Sequence, residues 1–150
     1  MKLKECGVTD TQVGKNVVIY SPVNIYGCTL GDDVFIGPFV EIQKNCVVGR
    51  QSRVQSHTFI CENVNIGENC FIGHNVTFAN DLFTQGAPNP DASDWLHIII
   101  EDNVSIGSGS TILAEKICSG TVIGAGSVVV KSITEKGVYA GNPARLLRKL

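Results

Sequence analysis

Residues 30–78 read LGDDVF IGPFVE IQKNCV VGRQSR VQSHTF ICENVN IGENCF IGHNVT F, and this stretch decides the fold. An apolar residue opens every six-residue unit, and the residue four places later is small or apolar. A period of six fits neither an alternating strand nor an α-helix. It fits a solenoid of short strands that each place one large and one small residue inward, with three strands to a coil of about 18 residues.

The same repeat continues on both sides of this stretch, with one interruption. Eighteen positions open a repeat, and all of them are apolar: Val13, Ile19, Ile25, Leu30, Ile36, Ile42, Val48, Val54, Ile60, Ile66, Ile72, Phe78, Ile100, Ile106, Ile112, Ile117, Ile123 and Val129. They predict about six triangular coils over residues 13–134. The composition agrees, because 15 Ile and 18 Val against 8 Leu favour strands over helices. We therefore expect one all-β domain.

Composition and charge exclude several classes of protein. A formal net charge of −2 lacks the basic footprint of a nucleic-acid binder. No apolar run approaches the ~20 residues of a membrane span, and residues 1–10 lack the continuous apolar stretch of a secretory signal. The six cysteines form no C-x-x-C pair. We expect a cytoplasmic protein that binds neither nucleic acid nor membrane.

The interruption of the repeat is the stretch TQGAPNPDASDWLHII at residues 84–99. Loops longer than ~12–15 residues in a compact domain are usually functional or disordered. This one contains the only tryptophan, Trp95, and a large aromatic side chain needs a surface to cover. We expect the inserted loop to reach over a groove, on this chain or on a neighbouring subunit.

The units IGPFVE (residues 36–41) and IGHNVT (residues 72–77) resemble the repeat of the hexapeptide-repeat acyltransferases. The resemblance covers roughly residues 13–145, which is most of the chain. It implies a left-handed parallel β-helix, an exception to the usual right-handed crossover. It also implies a homotrimer.

Residues one coil apart in a parallel β-helix lie about 4.8 Å apart, so the spacing predicts which side chains stack. One face carries the alternating charges of a solvated surface. The next face holds two columns whose side chains shrink toward the C-terminus: Ser56, His74, Ser108 and Ala125, beside His57, Asn75, Gly109 and Gly126. Small residues expose backbone along a groove that suits an extended ligand, although glycines there serve turns equally well. Ser108, Gly109, Ala125 and Gly126 are the candidate cofactor-binding residues.

A third column stacks Lys44, Glu62 and Asn80, with Lys131 two coils further on. Together with His57 and the residues around the inserted loop, this column predicts a convergence of proton-transfer groups near one corner of the solenoid. The predicted cluster is His57, Glu62, His74, Asn80 and Asp81. An isolated histidine is more often structural than catalytic, and the convergence is the argument for function.

The C-terminal block YAGNPAR, residues 139–145, is a second specific signal. It predicts a turn followed by a short basic helix over residues 143–150, with Pro143 near its start. The block resembles the G-N-P-A-(K/R) segment of acetyl-CoA-dependent members of the family. The resemblance implies acetyl-CoA as co-substrate, with Lys131 and Arg145 near its phosphates. No metal is expected.

The stretch VTFAND, residues 76–81, resembles the segment before the inserted loop of nucleotide-linked 3-amino-sugar N-acetyltransferases. The resemblance implies a UDP- or dTDP-linked amino sugar, used in surface polysaccharide precursors, whose amine Asn80 and Asp81 orient. We expect direct attack on the thioester in a ternary complex, with His57 or Glu62 accepting the proton. A backbone N–H near Gly109 stabilises the oxyanion. Three residues complete the predicted substrate site: Asp81, His74 and Lys44.

Three alternatives remain open from the residues. An O-acetyltransferase of serine or sugar-hydroxyl type needs a stronger base, which His57 or His74 can supply. A zinc site needs three histidines at metal distance, so His97 has to fold back from the loop. A scaffold without catalysis is the third, since solenoids often serve as binding surfaces. Cys61 as a nucleophile is disfavoured, because a covalent step gains little when the thioester is already activated.

Overall fold

The computed structural model describes residues 1–150 as a stack of short strands. In chain order they are β1 (Val8–Thr9), β2 (Gln12–Val13), β3 (Val18–Ile19), β4 (Asn24–Tyr26), β5 (Thr29–Leu30), β6 (Phe35–Ile36), β7 (Glu41–Ile42), β8 (Val47–Val48), β9 (Arg53–Val54), β10 (Phe59–Ile60), β11 (Val64–Ile66), β12 (Phe71–Ile72), β13 (Thr77–Phe78), β14 (Ile98–Ile100), β15 (Ser105–Ile106), β16 (Thr111–Ile112), β17 (Lys116–Ile117), β18 (Val122–Ile123), β19 (Val128–Val129), β20 (Gly137–Ala140) and β21 (Arg145–Lys149). One 3₁₀ turn, Ala92–Asp94, lies in the inserted loop. No helix has the length and apolar character needed to cross a bilayer.

The strands form three sheets, one for each side of a triangular coil, and every pairing except that of β20 with β21 is parallel. Sheet A has the order β1-β4-β7-β10-β13-β16-β19, sheet B the order β17-β14-β11-β8-β5-β2, and sheet C the order β21-β20-β18-β15-β12-β9-β6-β3. Each strand pairs with its counterpart one coil away, as Ile25 does with Ile42 and Ile42 with Ile60. The predicted all-β solenoid is confirmed, and its architecture fits a left-handed β-helix.

The solenoid has about seven coils rather than six. The sequence repeat begins at Val13, but β1 already pairs Val8 with Ile25. At the other end β20 adds a further strand to sheet C, through pairs of Val122 with Val138 and of Ile123 with Tyr139. Terminal coils are harder to find from apolar spacing, because one of their sides has no coil to pack against.

The core is the column of residues that open each repeat. Sixteen of the eighteen are at most 2% exposed, and Val13 and Ile19 in the first coil are the exceptions. The small residues four places later are buried as well, including the polar Ser52 and Thr58. The Thr58 hydroxyl donates to the Gly73 carbonyl at 2.9 Å. No buried side-chain nitrogen or oxygen lacks a partner, so the polar part of the core is fully satisfied.

The corners of the coils share one backbone conformation. The third residue after most repeat starts has a φ between about +53° and +72°, and it is usually Asn, Asp or Gly, as at Asn45, Asn63, Asn69, Asn75, Gly109 and Gly126. These residue types tolerate the left-handed region best. Three corner residues depart from the rule: Phe39 with a φ of 61°, Gln51 with a φ of 60° and His57 with a φ of 64°.

The inserted loop is longer than residues 84–99, since it runs from the end of β13 at Phe78 to the start of β14 at Ile98. The Asp81 carboxylate holds its start, accepting from the Phe83 and Asn89 N–H groups at 3.0 and 2.7 Å. The Trp95 indole N–H donates to the Asn89 carbonyl at 3.2 Å. Isoleucines 98 and 99 belong to a strand because their backbone continues sheet B next to β11.

The predicted C-terminal helix over residues 143–150 is wrong. Residues Arg145–Lys149 form β21, which pairs antiparallel with β20 and closes sheet C. A helix this short is marginal on its own, whereas β20 offers unpaired backbone groups at a sheet edge. The preceding turn caps the last coil, because the Ala144 N–H donates to the Val128 carbonyl at 2.8 Å.

Candidate active site

Sheet A separates two corners that carry the polar residues singled out by the sequence. The histidine corner comprises the turns that lead from sheet C into sheet A, residues 38–39, 56–57, 74–75, 108–109 and 125–126. The carboxylate corner comprises the turns that lead from sheet A into sheet B, with Lys44, Glu62 and Asn80. Both columns stack as the 18-residue spacing predicts.

The histidine corner contains two exposed imidazoles one coil apart. The His57 ring stacks on the Phe39 ring, with centroids 4.8 Å apart and an interplanar angle of 26°. The His74 Nδ1 lies 3.4 Å from the Ser108 Oγ, and the His74 backbone N–H donates to the same oxygen at 3.1 Å. Both rings are therefore held by a neighbour at one side and open to solvent at the other.

The last two coils of the histidine corner expose their backbone. A Cβ atom added at Gly109 or Gly126 meets nothing within 4 Å. The N–H of Gly109 is already used, since it donates to the His74 carbonyl at 2.8 Å. The N–H groups of Ser108 and Ala125 donate to no group in the chain. These two, rather than Gly109, are the free backbone donors at the predicted groove.

The carboxylate corner is an interacting set. The Lys44 Nζ lies 3.6 Å from the Glu62 Oε2, and the Glu62 side chain is only 17% exposed. The Asn80 amide donates to the Glu62 carbonyl oxygen at 3.0 Å, which ties the start of the inserted loop to the coil below. Burial, followed by the charges of Glu41 and Glu62, raises the pKa of the nearby Tyr26 phenol.

Cys61 beside Glu62 is buried, and burial raises the pKa of its thiol to about 12. Its neighbour Cys46 is in the same state, with a pKa also raised to about 12 by burial, and its Sγ donates to the Cys61 carbonyl at 3.0 Å. A nucleophilic cysteine needs a lowered pKa and access. Cys61 has neither property.

The predicted convergence of five groups at one corner is not found within a single chain. His57 and His74 lie at the histidine corner, while Glu62 and Asn80 lie at the carboxylate corner, with β10 between His57 and Glu62. The two side chains thus lie in turns at opposite ends of β10, at successive corners of one coil, rather than in one cluster. His57 is the third residue after the repeat start Val54 and Glu62 is the eighth, so the six-residue period puts them at successive corners.

Asp81 is less free than its predicted substrate role requires, because both carboxylate oxygens accept backbone N–H groups of the loop. Lys131 is exposed in the turn after β19, and Arg145 is exposed at the start of β21, where its guanidinium donates to the Ala144 carbonyl at 3.1 Å. No three His, Cys, Asp or Glu side chains are placed to hold a metal ion. His97 lies exposed next to β14.

Two family profiles match this chain and together cover more than half of it. The profile described as "Bacterial transferase hexapeptide (six repeats)" matches residues 27–62. The profile described as "Hexapeptide repeat of succinyl-transferase" matches residues 63–78 and 97–131. The chain belongs to the hexapeptide-repeat transferase family.

Known proteins with similar sequence or structure agree with this assignment. The bifunctional protein GlmU of Thermodesulfovibrio yellowstonii is 30% identical over 155 residues, which cover 84% of this chain and 33% of that protein. This chain thus spans about a third of the length of the curated GlmU relatives it matches.

Two solved structures share the fold. A hexapeptide-repeat acetyltransferase from Vibrio cholerae, complexed with acetyl coenzyme A, has a TM-score of 0.67 and 23% identity over 83% of this chain and 71% of that one. A variant of perosamine N-acetyltransferase from Caulobacter crescentus, in complex with CoA and GDP-perosamine, has a TM-score of 0.68 and 19% identity over 90% of this chain and 56% of that one. At these identities the likeness concerns the fold.

Proposed function

We propose that this protein is an acetyl-CoA-dependent N-acetyltransferase that acts on the amine of a nucleotide-linked amino sugar, UDP- or dTDP-linked. The observation that carries the proposal is the histidine corner, where exposed imidazoles and open glycine backbone lie in two adjacent columns of a hexapeptide-repeat solenoid. The two solved structures support it, since one is complexed with acetyl coenzyme A and the other with CoA and a nucleotide-linked amino sugar.

The coenzyme lies along the C-terminal part of the histidine corner in this proposal. Gly109 and Gly126 leave room for the extended pantetheine arm, and Ser108 and Ala125 offer backbone donors. Lys131 and Arg145, both exposed cations, bind the phosphates at the coenzyme's nucleotide end. Donors fixed by the coil need no reorganisation when charge develops on the thioester oxygen, so the Ser108 or Ala125 N–H serves as the oxyanion donor.

The reaction itself asks mainly for alignment, because a thioester carbonyl is activated and a neutral amine is a good nucleophile. The amine attacks the carbonyl carbon, the carbon–sulfur bond breaks, and coenzyme A leaves as the thiol. His57 accepts the proton that the amine loses and returns it to the departing thiolate. Asn80 holds the sugar beside Glu62, and His74 and Lys44 contribute polar contacts. Asp81 acts through the loop that it fixes.

A thiol-release assay with acetyl-CoA tests the activity. UDP- and dTDP-linked amino sugars are compared with the same sugars bearing a hydroxyl in place of the amine, and with serine. We expect release with the amino sugars alone, and His57→Ala to lower kcat/KM by about 10²–10⁴-fold. Release with serine or the hydroxyl sugars favours the O-acetyltransferase alternative. Failure to bind coenzyme A by calorimetry favours a scaffold.

The role of His57 or Glu62 as the proton acceptor is tested separately. If His57→Ala and Glu62→Gln both leave kcat/KM unchanged, neither side chain accepts the proton and the amine attacks unaided. A Phe71→Ser variant on the outer face of sheet C is a suitable control, since that side chain lies at neither corner.

A further inference from the structure

A shallow cavity of about 280 Å³, open to solvent, lies on the N-terminal part of sheet A and reaches Phe39 at the start of the histidine corner. Its apolar wall comes from Pro22, Val23 and Phe39, and its polar wall from Asn24 and Glu41. Asn24 and Glu41 are cross-strand partners in β4 and β7, so their outward side chains lie about 4.8 Å apart. The fold does not need this combination of residues, because neither polar side chain supports a turn.

The polar wall pairs one free donor with one free acceptor. The Asn24 amide makes no hydrogen bond within the chain, and Glu41 accepts only from the Gln43 amide, at 3.1 Å through one of its oxygens. The Asn24 amide can donate to a ligand carbonyl while Glu41 accepts an adjacent N–H. This pattern complements the edge of a uracil or thymine ring, which presents a carbonyl next to the N3–H.

Phe39 supplies a stacking surface at the cost of local strain. Its side chain is 57% exposed, and a bulky residue with a φ of 61° is unfavourable where most other corners use Asn, Asp or Gly. One neighbour of its ring is His57, and the ring also lines the cavity. A planar base beside Phe39 extends this aromatic stack, and base–aromatic stacking is among the stronger apolar contacts to nucleotides.

We propose that this cavity binds the pyrimidine base of the nucleotide-linked sugar, with Phe39 stacking on the ring, Glu41 accepting its N3–H and Asn24 donating to the flanking carbonyl. The inference rests on the proposed function, because it assigns the nucleotide end of that substrate. None of these three residues belongs to the set that the sequence singled out.

The rest of the substrate then follows the outer face of sheet A. Asn24, Glu41, Phe59 and Thr77 are consecutive partners in register. Three strand spacings separate the first from the last, about 14 Å, a length comparable to an extended nucleoside diphosphate. The sugar therefore reaches the coil of Thr77, where His74 and Asn80 begin and end the strand segment. Lys44, three residues beyond Glu41, is the cation nearest in sequence to the diphosphate path.

Calorimetry with UDP, dTDP, inorganic pyrophosphate and N3-methyl-UDP tests the proposal on the full chain. We expect UDP and dTDP to bind and pyrophosphate to bind at least tenfold more weakly. The methyl group removes the N3–H, so N3-methyl-UDP should bind the wild type about tenfold more weakly than UDP. Glu41→Ala should bind UDP and N3-methyl-UDP within twofold of each other. Phe39→Leu should weaken UDP about tenfold.

Glu115→Ala, an exposed carboxylate on another part of the solenoid, is the matched control and should bind UDP as the wild type does. Circular dichroism checks that each variant is folded. Equal affinity for UDP, pyrophosphate and N3-methyl-UDP, or an unchanged UDP affinity in both Phe39→Leu and Glu41→Ala, overturns the proposal.

Acetyl-CoA binding and thiol release, measured on the same samples, separate the two hypotheses. Turnover of amino sugars without binding that depends on the pyrimidine refutes the pyrimidine site alone. Binding that depends on the pyrimidine, without any acetyl transfer, refutes the proposed activity but still supports the pyrimidine site.

Discussion

Buried serine and threonine side chains are the least expected feature of an otherwise apolar solenoid core. Ser52 occupies an inward position that most other coils fill with Val, Cys or Thr, and it is 0% exposed. Its hydroxyl donates to the Gly67 carbonyl at 2.7 Å and accepts from the Cys70 N–H at 2.9 Å. It thus bridges two backbone groups of the next coil that the sheets do not pair. Removing it leaves buried groups without partners.

Ser52→Ala should therefore lower the free energy of unfolding by about 1–3 kcal/mol. Urea unfolding followed by circular dichroism measures the change. Ser132→Ala, at an exposed turn, is the control and should stay within about 0.5 kcal/mol of the wild type. An equal effect of the two substitutions means that the Ser52 hydrogen bonds contribute nothing net.

The cysteines differ sharply in burial, and we expect them to differ in reactivity for that reason. Cys6 is exposed, whereas Cys46 and Cys61 are buried and their pKa values are raised to about 12. At pH 8 a thiol with that pKa is ionised in about one molecule in ten thousand. A disulfide reagent such as DTNB should label Cys6 rapidly, and Cys46 and Cys61 only after unfolding. Cys6→Ser should abolish the fast phase, and fast labelling of Cys61 would restore it as a candidate nucleophile.

At the scale of elements, the corner between sheets B and C is fixed by one ionised carboxylate. Glu101, directly after β14, pairs with the Lys116 Nζ at 2.6 Å and accepts from the Ser119 N–H and hydroxyl at 2.9 and 3.1 Å. Hydrogen bonds from Lys116 and then Ser119 lower the pKa of the Glu101 carboxyl from 4.5 to about 2. The contact joins two successive coils after the inserted loop, where the repeat resumes.

The folded-state pKa of Glu101 lies below its unfolded value, so the folded chain binds this proton less readily. The contribution to stability is present above about pH 4.5 and is lost as the pH falls toward 2. Melting temperatures measured between pH 5 and pH 2 should fall less steeply in Glu101→Gln than in the wild type. Lys116→Met should have the same effect, since it removes the largest cause. Parallel curves for all three proteins contradict this role.

The strands could be predicted from the sequence because one inward column determines them. A period of six with an apolar start is a local signal, and residues such as Ile36 and Ile72 are fully buried as it requires. The C-terminal strand could not be predicted in this way. Leu146 and Leu147 have good helix propensity, and only the unpaired edge of β20, a tertiary feature, makes them extended.

The sequence predicts which residues of the candidate site stack on one another from coil to coil, but it does not predict which of these stacks lie close together. Spacing put Lys44, Glu62 and Asn80 in one stack, and the structure has the Lys44–Glu62 ion pair and the bond from Asn80. The six-residue period already puts His57 and Glu62 at successive corners, so the prediction that they converge overlooks the strand of sheet A between them. The base cavity was missed because Asn24, Phe39 and Glu41 lie on different elements and share no motif.

At the scale of the whole molecule, the distance between the two corners bears on assembly. A site that uses both His57 and Glu62 on one amine can be formed by two chains, since within one chain the two residues lie at successive corners of a coil. A homotrimer, as predicted from the sequence, would provide this juxtaposition, because a heterologous contact repeated around a threefold axis brings one edge of a chain against a different edge of its neighbour. Exposed apolar side chains on outward strand positions, such as Val47 and Ile99, are consistent with such contacts.

Mixed assemblies give a direct test of a site shared between chains. His57→Ala and Glu62→Gln are each expected to be nearly inactive as homotrimers. When the two are co-expressed in equal amounts, about a quarter of the interfaces receive His57 from one chain and Glu62 from the next, so about a quarter of wild-type activity should return. Light scattering should show a mass three times the 16.1 kDa of one chain. Mixing the purified trimers without exchange is the control. No recovery in co-expressed trimers means that His57 and Glu62 do not act on one substrate across an interface, and a monomeric mass rules out the shared site altogether.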